Sequence, residues 1–143
     1  MSEHGEALIR EVRRIAAANP DFVYSNSLCQ YIDNDNGGGS CIMGQALFNL
    51  GYLATPDRRD RVLDLEGKAI SEVLLGLEIE VDTGEGYWLN EVQAAQDGRA
   101  CPPPRSEGRV IYSLLEGRHN FSEAVQYGDK QCQTPFPDIL KVV

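Results

Sequence analysis

The chain has 143 residues, the usual size of one domain, and 42% of them are hydrophobic, which is enough to build a packed core. Because 22 Asp and Glu residues outnumber 13 Lys and Arg residues, the formal net charge is −9. This charge argues against ordinary nucleic-acid binding, which needs a basic face, and against docking on anionic membranes, but it is compatible with a basic partner or with mimicry of DNA. No apolar run approaches the roughly 18 residues of a membrane span, and residues 1–11 lack the apolar core of a signal peptide. We therefore expect a cytoplasmic protein whose four cysteines are free thiols.

The first predicted element is an amphipathic helix over residues 3–18, which ends at Asn19-Pro20 because the residue before a proline avoids the α region. Its apolar face carries Leu8, Val12, Ile15 and Ala16. The β-prone runs at residues 22–24 and 28–32 then predict short strands, and together they predict an antiparallel hairpin near residues 22–32.

A polar, glycine-rich loop over residues 33–40 precedes a predicted helix over residues 41–50, with Ser40 as its N-cap. Thr55-Pro56 opens the next helix, which runs to about Glu66. A further helix covers about residues 68–76, with Ile70, Val73, Leu74 and Leu77 as its buried stripe. Beyond it, apolar and acidic residues alternate over residues 77–81, which is compatible with a short strand.

The next predicted helix starts at Asp82 or Thr83 and runs to Gln96. Residues 99–119 follow as a predicted inserted arm, with a proline run and then a helix from Ser106 to about Glu116. Asn120 and Glu123 have the spacing of a capping box for a last helix. The predicted fold class is thus α+β: a predominantly α-helical single domain over residues 1–143 with a small antiparallel β-hairpin.

The glycine-rich loop is the candidate ligand site, because backbone N–H groups before a helix can bind an anion. The residues concerned are Gly38, Gly39, Ser40 and Gln45. A phosphate-binding loop would also need a Lys, and Asp33 and Asp35 would repel phosphate. A calcium-binding EF-hand loop starting at Asp33 would place glycines at two ligand positions. A solvated turn is the plain alternative.

Catalytic chemistry finds no complete residue set in the sequence. Cys41 lies at a predicted helix start, which lowers a thiol pKa, but the only bases available are His4 and His119. A short helix that begins Cys-Ile-Met-Gly more often buries its cysteine in the core. The cysteine spacing has no zinc motif. We therefore predict no catalytic residues, no metal ligands and no cofactor.

Two helices carry the candidate partner-binding residues. Arg58 and Arg59 belong to a basic cluster that acidic residues interleave, which is also typical of a salt-bridged, solvent-facing helix. Trp88, Gln93 and Gln96 form the most distinctive polar and aromatic set, either lining a shallow groove or bonding to neighbouring backbone. Arg109, in the inserted arm, completes the set.

Several segments together resemble a family of small proteins from actinobacteria and their bacteriophages. They are Asn19 to Tyr24, Cys29-Gln30-Tyr31, Cys41 to Leu47, Leu50-Gly51, Trp88-Leu89, Val92-Gln93, Gln96-Asp97, Phe121 and Glu123 to Val125. The resemblance covers about residues 5–98 and 120–129, and Gly44 to Leu47 is its most specific part. The family has no established activity, so it implies no catalytic residues. Residues 99–119 and 33–36 depart from it as additions.

The function expected from these observations is that of a non-enzymatic phage or prophage accessory protein, which binds a host protein and modulates it. The alternatives are a sponge-like protein that binds a small ligand or nucleotide, and an acidic DNA mimic. The sequence leaves the oligomeric state open.

Overall fold

A computed structural model describes residues 1–25, 30–98 and 118–132, and the backbone of residues 105–106 and 109–110. Within these ranges the helices are α1 (Glu3–Ala18), α2 (Ile42–Asn49), α3 (Pro56–Asp64), α4 (Ile70–Gly76), α5 (Thr83–Asp97) and α6 (Phe121–Gln131). Helix α5 packs along α6 and also contacts α1, α2 and α4. It is therefore the central helix of the described structure.

Most helices begin where their local sequence predicts. The Ser2 hydroxyl accepts the Gly5 N–H at 3.0 Å, and the Thr55 hydroxyl accepts the Arg58 N–H at 3.3 Å. The capping box predicted at Asn120 is formed, because its side chain accepts the Glu123 N–H at 2.8 Å. Such side chains bond N–H groups that the first helical turn leaves unpaired. The predicted helices over 3–18, 55–66, 68–76, 82–96 and from 120 are confirmed within a few residues.

The start of α2 differs from the prediction. Cys41, rather than Ser40, is the N-cap, and its Sγ accepts the Gly44 N–H at 3.4 Å. Ser40 lies one residue too early, and its hydroxyl bonds to the Tyr24 hydroxyl at 2.7 Å.

The predicted hairpin near residues 22–32 is wrong, and with it the α+β fold class. Residues 22–25 form neither a strand nor a helix in the described chain. Their neighbourhood bonds instead to the start of α6: the Phe121 N–H donates to Phe22 O at 2.9 Å, and the Ser122 N–H donates to Pro20 O at 3.0 Å. The described fold is helical, because a helix start replaces the partner strand.

The second predicted strand of that hairpin also has a different partner. The N–H groups of Tyr31 and Ile32 donate to the Glu66 carboxylate at 2.7 and 3.2 Å. Only an isolated bridge joins Ile32 to Gly39. The carboxylate of Glu66, between α3 and α4, thus accepts hydrogen bonds from N–H groups that a partner strand would otherwise have bonded.

The alternation over residues 77–81 does not form a strand either. Leu77 and Ile79 are buried while Glu78 and Glu80 are exposed, so the predicted faces are right. Leu77 is the C-cap of α4, and the Ile79 N–H donates to Leu74 O at 2.9 Å. The segment is therefore the exit from a helix.

Most of the predicted inserted arm over 99–119, including its proline run, lies outside the described residues. Two short strands are described within it, β1 (Arg105–Ser106) and β2 (Arg109–Val110), which pair in antiparallel register. Because Ser106 is extended, the helix predicted to begin there does not start at that residue. A two-residue pair adds no sheet layer to the helical fold.

We expect Gly44→Ala to destabilise the fold by about 3 kcal/mol, at the upper end of overpacking effects. A Cβ atom at this position would lie 1.9 Å from the carbonyl oxygen of Tyr31, which is backbone and cannot rotate away. Gly84→Ala is the matched control, since its Cβ would meet nothing within 4 Å, and alanine should stabilise α5 by up to about 1 kcal/mol. Urea unfolding midpoints measure both; equal effects of the two changes would contradict the described packing.

Candidate functional site

The predicted ligand loop is brought together, but its donors are used within the protein. The Gly38 N–H donates to the Asn36 side chain at 2.7 Å, and the Ser40 N–H donates to Tyr31 O at 2.9 Å. Gln45 donates its side-chain amide to Ser40 O at 3.0 Å. A Cβ on Gly39 would lie 2.4 Å from the backbone of Gln45, so this glycine serves close packing. The loop geometry thus favours a structural turn over an anion site.

The two arginines predicted to bind a partner donate hydrogen bonds to backbone carbonyls on either side of α3. The Arg58 guanidinium donates to Tyr52 O at 2.7 Å and to Leu77 O at 3.4 Å, and Arg59 donates to Leu53 O at 3.3 Å. These guanidinium groups bond carbonyls in two separate segments, so much of their donor capacity is used internally.

The polar and aromatic set on α5 is buried, and its side chains are not available to a partner in this fold. The Gln93 side chain accepts the Ile70 N–H at 2.8 Å, and the Gln96 side chain accepts the Ile42 N–H at 2.7 Å. The Trp88 indole N–H donates to Asp129 at 3.0 Å. The sequence left two alternatives for these amides, which were bonding to neighbouring backbone and lining a shallow groove. In the structure they bond to backbone. Arg109 lies in β2, and its side chain is outside the described structure.

Trp88 belongs to a small charged cluster that joins three helices. Arg13 of α1 forms a two-pronged ion pair with Asp129 of α6, with distances of 2.6 and 3.0 Å. The guanidinium carbon lies 5.0 Å from the centre of the Trp88 ring of α5, within cation–π range. Arg13 is only 5% exposed, so the Asp129 carboxylate compensates a buried positive charge.

The described cysteines are structural thiols. Cys41 is fully buried, which confirms its predicted core role. Burial, together with Asp129 and Glu91, raises the pKa of Cys132 to about 11, so this thiol stays protonated at neutral pH. No cluster of three or more His, Cys, Asp or Glu side chains in the described ranges could hold a metal ion.

A groove that the sequence analysis missed lies between α4, residues 77–83 and the first turns of α5. Its volume is about 1060 Å³, and it is open to solvent. Its apolar lining includes the buried side chains of Leu74 and Ile79. At its edge stand Leu75, which is 79% exposed, and Tyr87, which is 48% exposed. The sequence did carry a signal, because Leu75 falls outside the apolar stripe predicted for the helix over 68–76.

Four exposed carboxylates surround this apolar lining. They belong to Glu72, Glu78, Glu80 and Asp82. No Lys or Arg occurs among the described residues that line the groove. We call this feature, with Leu74, Leu75, Ile79 and Tyr87, the acidic groove.

Comparison with known proteins identifies no relative: no protein-family model, no curated protein and no solved structure matches the chain. None of the described helices has the length and apolar character to cross a membrane. The acidic groove therefore has to be interpreted from its own chemistry.

Removing Asp129 should leave a buried guanidinium without its counter-charge. We expect Asp129→Ala to lower the free energy of unfolding by about 3–5 kcal/mol. Glu6→Ala is the control, because Glu6 and Arg10 form an exposed pair whose loss should cost less than about 1 kcal/mol. Chemical denaturation of both variants measures this difference, and similar losses would show that the Arg13–Asp129 pair carries no special weight.

Glu66 gives a pH dependence of known sign. Burial raises its pKa above the usual 4.5, although the N–H donors of Tyr31 and Ile32 oppose this. The folded protein thus holds this proton more tightly than the unfolded chain, and the resulting stability is complete below the unfolded pKa and lost as pH rises through the folded pKa. We expect the stability advantage of the wild type over Glu66→Gln to shrink as the pH rises above about 4.5. Denaturant titrations at several pH values test this; an advantage that grows with pH would contradict it.

Proposed function

We propose that the chain is a non-enzymatic accessory protein that works by binding a partner protein, and that the acidic groove is its docking surface. The observation that supports this most is the exposure of Leu75 and Tyr87 beside a concave apolar lining. Single exposed leucines are ordinary, but an apolar groove with an aromatic edge has the composition of a protein interface.

The position of Leu75 on α4 explains why its side chain is exposed. The same helix buries Ile70, Val73 and Leu74, so Leu75 cannot turn inward without exposing them. A partner that covered Leu75 and Tyr87 would remove apolar surface from water, at about 25 cal/mol for each Å². Aromatic residues at such edges often provide a large share of binding energy.

The resemblance to proteins of actinobacteria and their bacteriophages supports a host protein as the partner. In that setting the chain would be a phage or prophage product that modulates the host protein it binds. The proposal makes a lysate of an actinobacterial host the appropriate source in which to seek the partner.

We expect Leu75→Glu to reduce capture of the partner by about tenfold or more, because a charge would be buried where an apolar anchor should pack. The matched control is Leu63→Glu, which changes an exposed leucine on α3, outside the groove. Tagged wild type and both variants are used as baits in parallel, and the captured proteins are quantified by mass spectrometry.

The supporting result is a host protein that the wild type and Leu63→Glu retain and Leu75→Glu loses. Capture that is equal for all three baits would place the interaction elsewhere and overturn the assignment of the groove. Circular dichroism of each bait excludes unfolding as the cause of a loss.

A further inference from the structure

We infer that the acidic groove docks a helical segment of the partner that carries Lys or Arg residues beside an apolar face. The inference rests on the proposed function and specifies the chemistry of its partner. Charge complementarity provides the argument, because the rim bears carboxylates and the lining is apolar.

The rim charges are available to a partner. Glu72, Glu78 and Glu80 are exposed, and none forms an ion pair with a Lys or Arg of the described chain. Because no described Lys or Arg neutralises these carboxylates, the rim is negatively charged, and a basic segment would offset that charge. An acidic segment would be repelled by the rim, so the rim favours a basic partner over an acidic one.

The backbone at Glu78 supports a role for its side chain. Its φ is 58°, in the left-handed region, and no other described non-glycine residue has a positive φ. Glycine or asparagine would adopt this conformation at lower cost, whereas glutamate pays for its side chain with strain. The turn ends α4, because the Glu78 N–H donates to Leu75 O at 3.1 Å and the Ile79 N–H donates to Leu74 O at 2.9 Å, and it places Glu78 at the rim.

The walls of the groove favour a helix as the occupant. Two of its three walls, α4 and the start of α5, are helical, so their backbone groups are bonded internally and offer no edge to an added strand. On these walls recognition has to use side chains: an apolar ridge of the partner would pack between Leu75 and Tyr87, against the partly buried Val81. This arrangement is the helix-in-groove mode of peptide recognition, with basic residues on the flanks reaching the rim.

The test uses a fluorescently labelled amphipathic helical peptide of Leu and Lys as the probe, with purified protein and fluorescence anisotropy. We expect the wild type to bind the peptide and Glu78→Lys with Glu80→Lys to bind at least about tenfold more weakly. The control is Asp60→Lys with Asp64→Lys, which alters net charge equally at exposed positions of α3 outside the groove. Leu75→Glu should also weaken binding, and raising salt from about 0.05 M to about 0.5 M should weaken it further.

Three results would overturn the inference. The first is equal weakening by the two double Lys variants, which would reduce the effect to net charge. The second is equal binding of a Leu and Gln peptide of the same pattern, which would show apolar docking without selection for charge. The third is a dimer that sedimentation detects and Leu75→Glu dissociates, which would make a second copy the occupant.

These results separate the inference from the proposed function. If a host protein is lost from the Leu75→Glu bait but retained by the Glu78→Lys with Glu80→Lys bait, the groove docks a partner that is not basic. If neither variant changes capture, the docking surface itself is wrong.

Discussion

Helices α2 and α4 both begin against α5, and side chains of α5 accept the N–H groups that start them. Gln96 accepts from Ile42 at 2.7 Å, and Gln93 accepts from Ile70 at 2.8 Å. Asn90 also accepts from the next residue of α4, Ser71, at 3.1 Å. The first N–H groups of a helix have no partner within it, and Ala69, the N-cap of α4, has no side chain that could accept one. Because Gln93 and Gln96 are buried, water cannot replace them, so the placement of two helices depends on these amides.

The same helix sets the geometry of the acidic groove. The bonds from Asn90 and Gln93 fix the start of α4 against α5, and α4 carries Leu75. At the other end, buried Glu85 accepts the Asp82 N–H at 2.7 Å and the Ser2 hydroxyl at 2.5 Å. The rim near Asp82 is thereby tied to the start of α1. A groove whose walls are held by buried polar bonds is formed before a partner arrives, so docking would cost little ordering of its backbone.

The sequence predicts the helices well where their ends are encoded locally, as at Thr55-Pro56 and at Asn120 with Glu123. The prediction fails at the two strands expected near residues 22–32, because the hydrogen-bond partners of these segments are distant along the chain. Tyr31 bonds to a carboxylate 35 residues away, and nothing in a β-prone run distinguishes that acceptor from a neighbouring strand. The amides of α5 pose the same problem. Their common helix face is readable from spacing, but the partner of Gln96 lies 54 residues away, so spacing alone leaves open whether that face is core or surface.

The sequence pattern over residues 77–81 predicts part of the acidic groove, although it suggested a strand. Alternation over residues 77–81 correctly places Leu77 and Ile79 inside and the glutamates outside, yet in a strand those glutamates would lie spread over a sheet surface. The left-handed turn at Glu78 follows the end of α4 instead, so they stand at the rim of a concave surface. Net charge is a property of the whole chain, whereas charges act over about 8 Å in physiological salt. Four of the 22 acidic residues surround this groove, and no Lys or Arg is among its described lining, so the groove itself carries a negative rim.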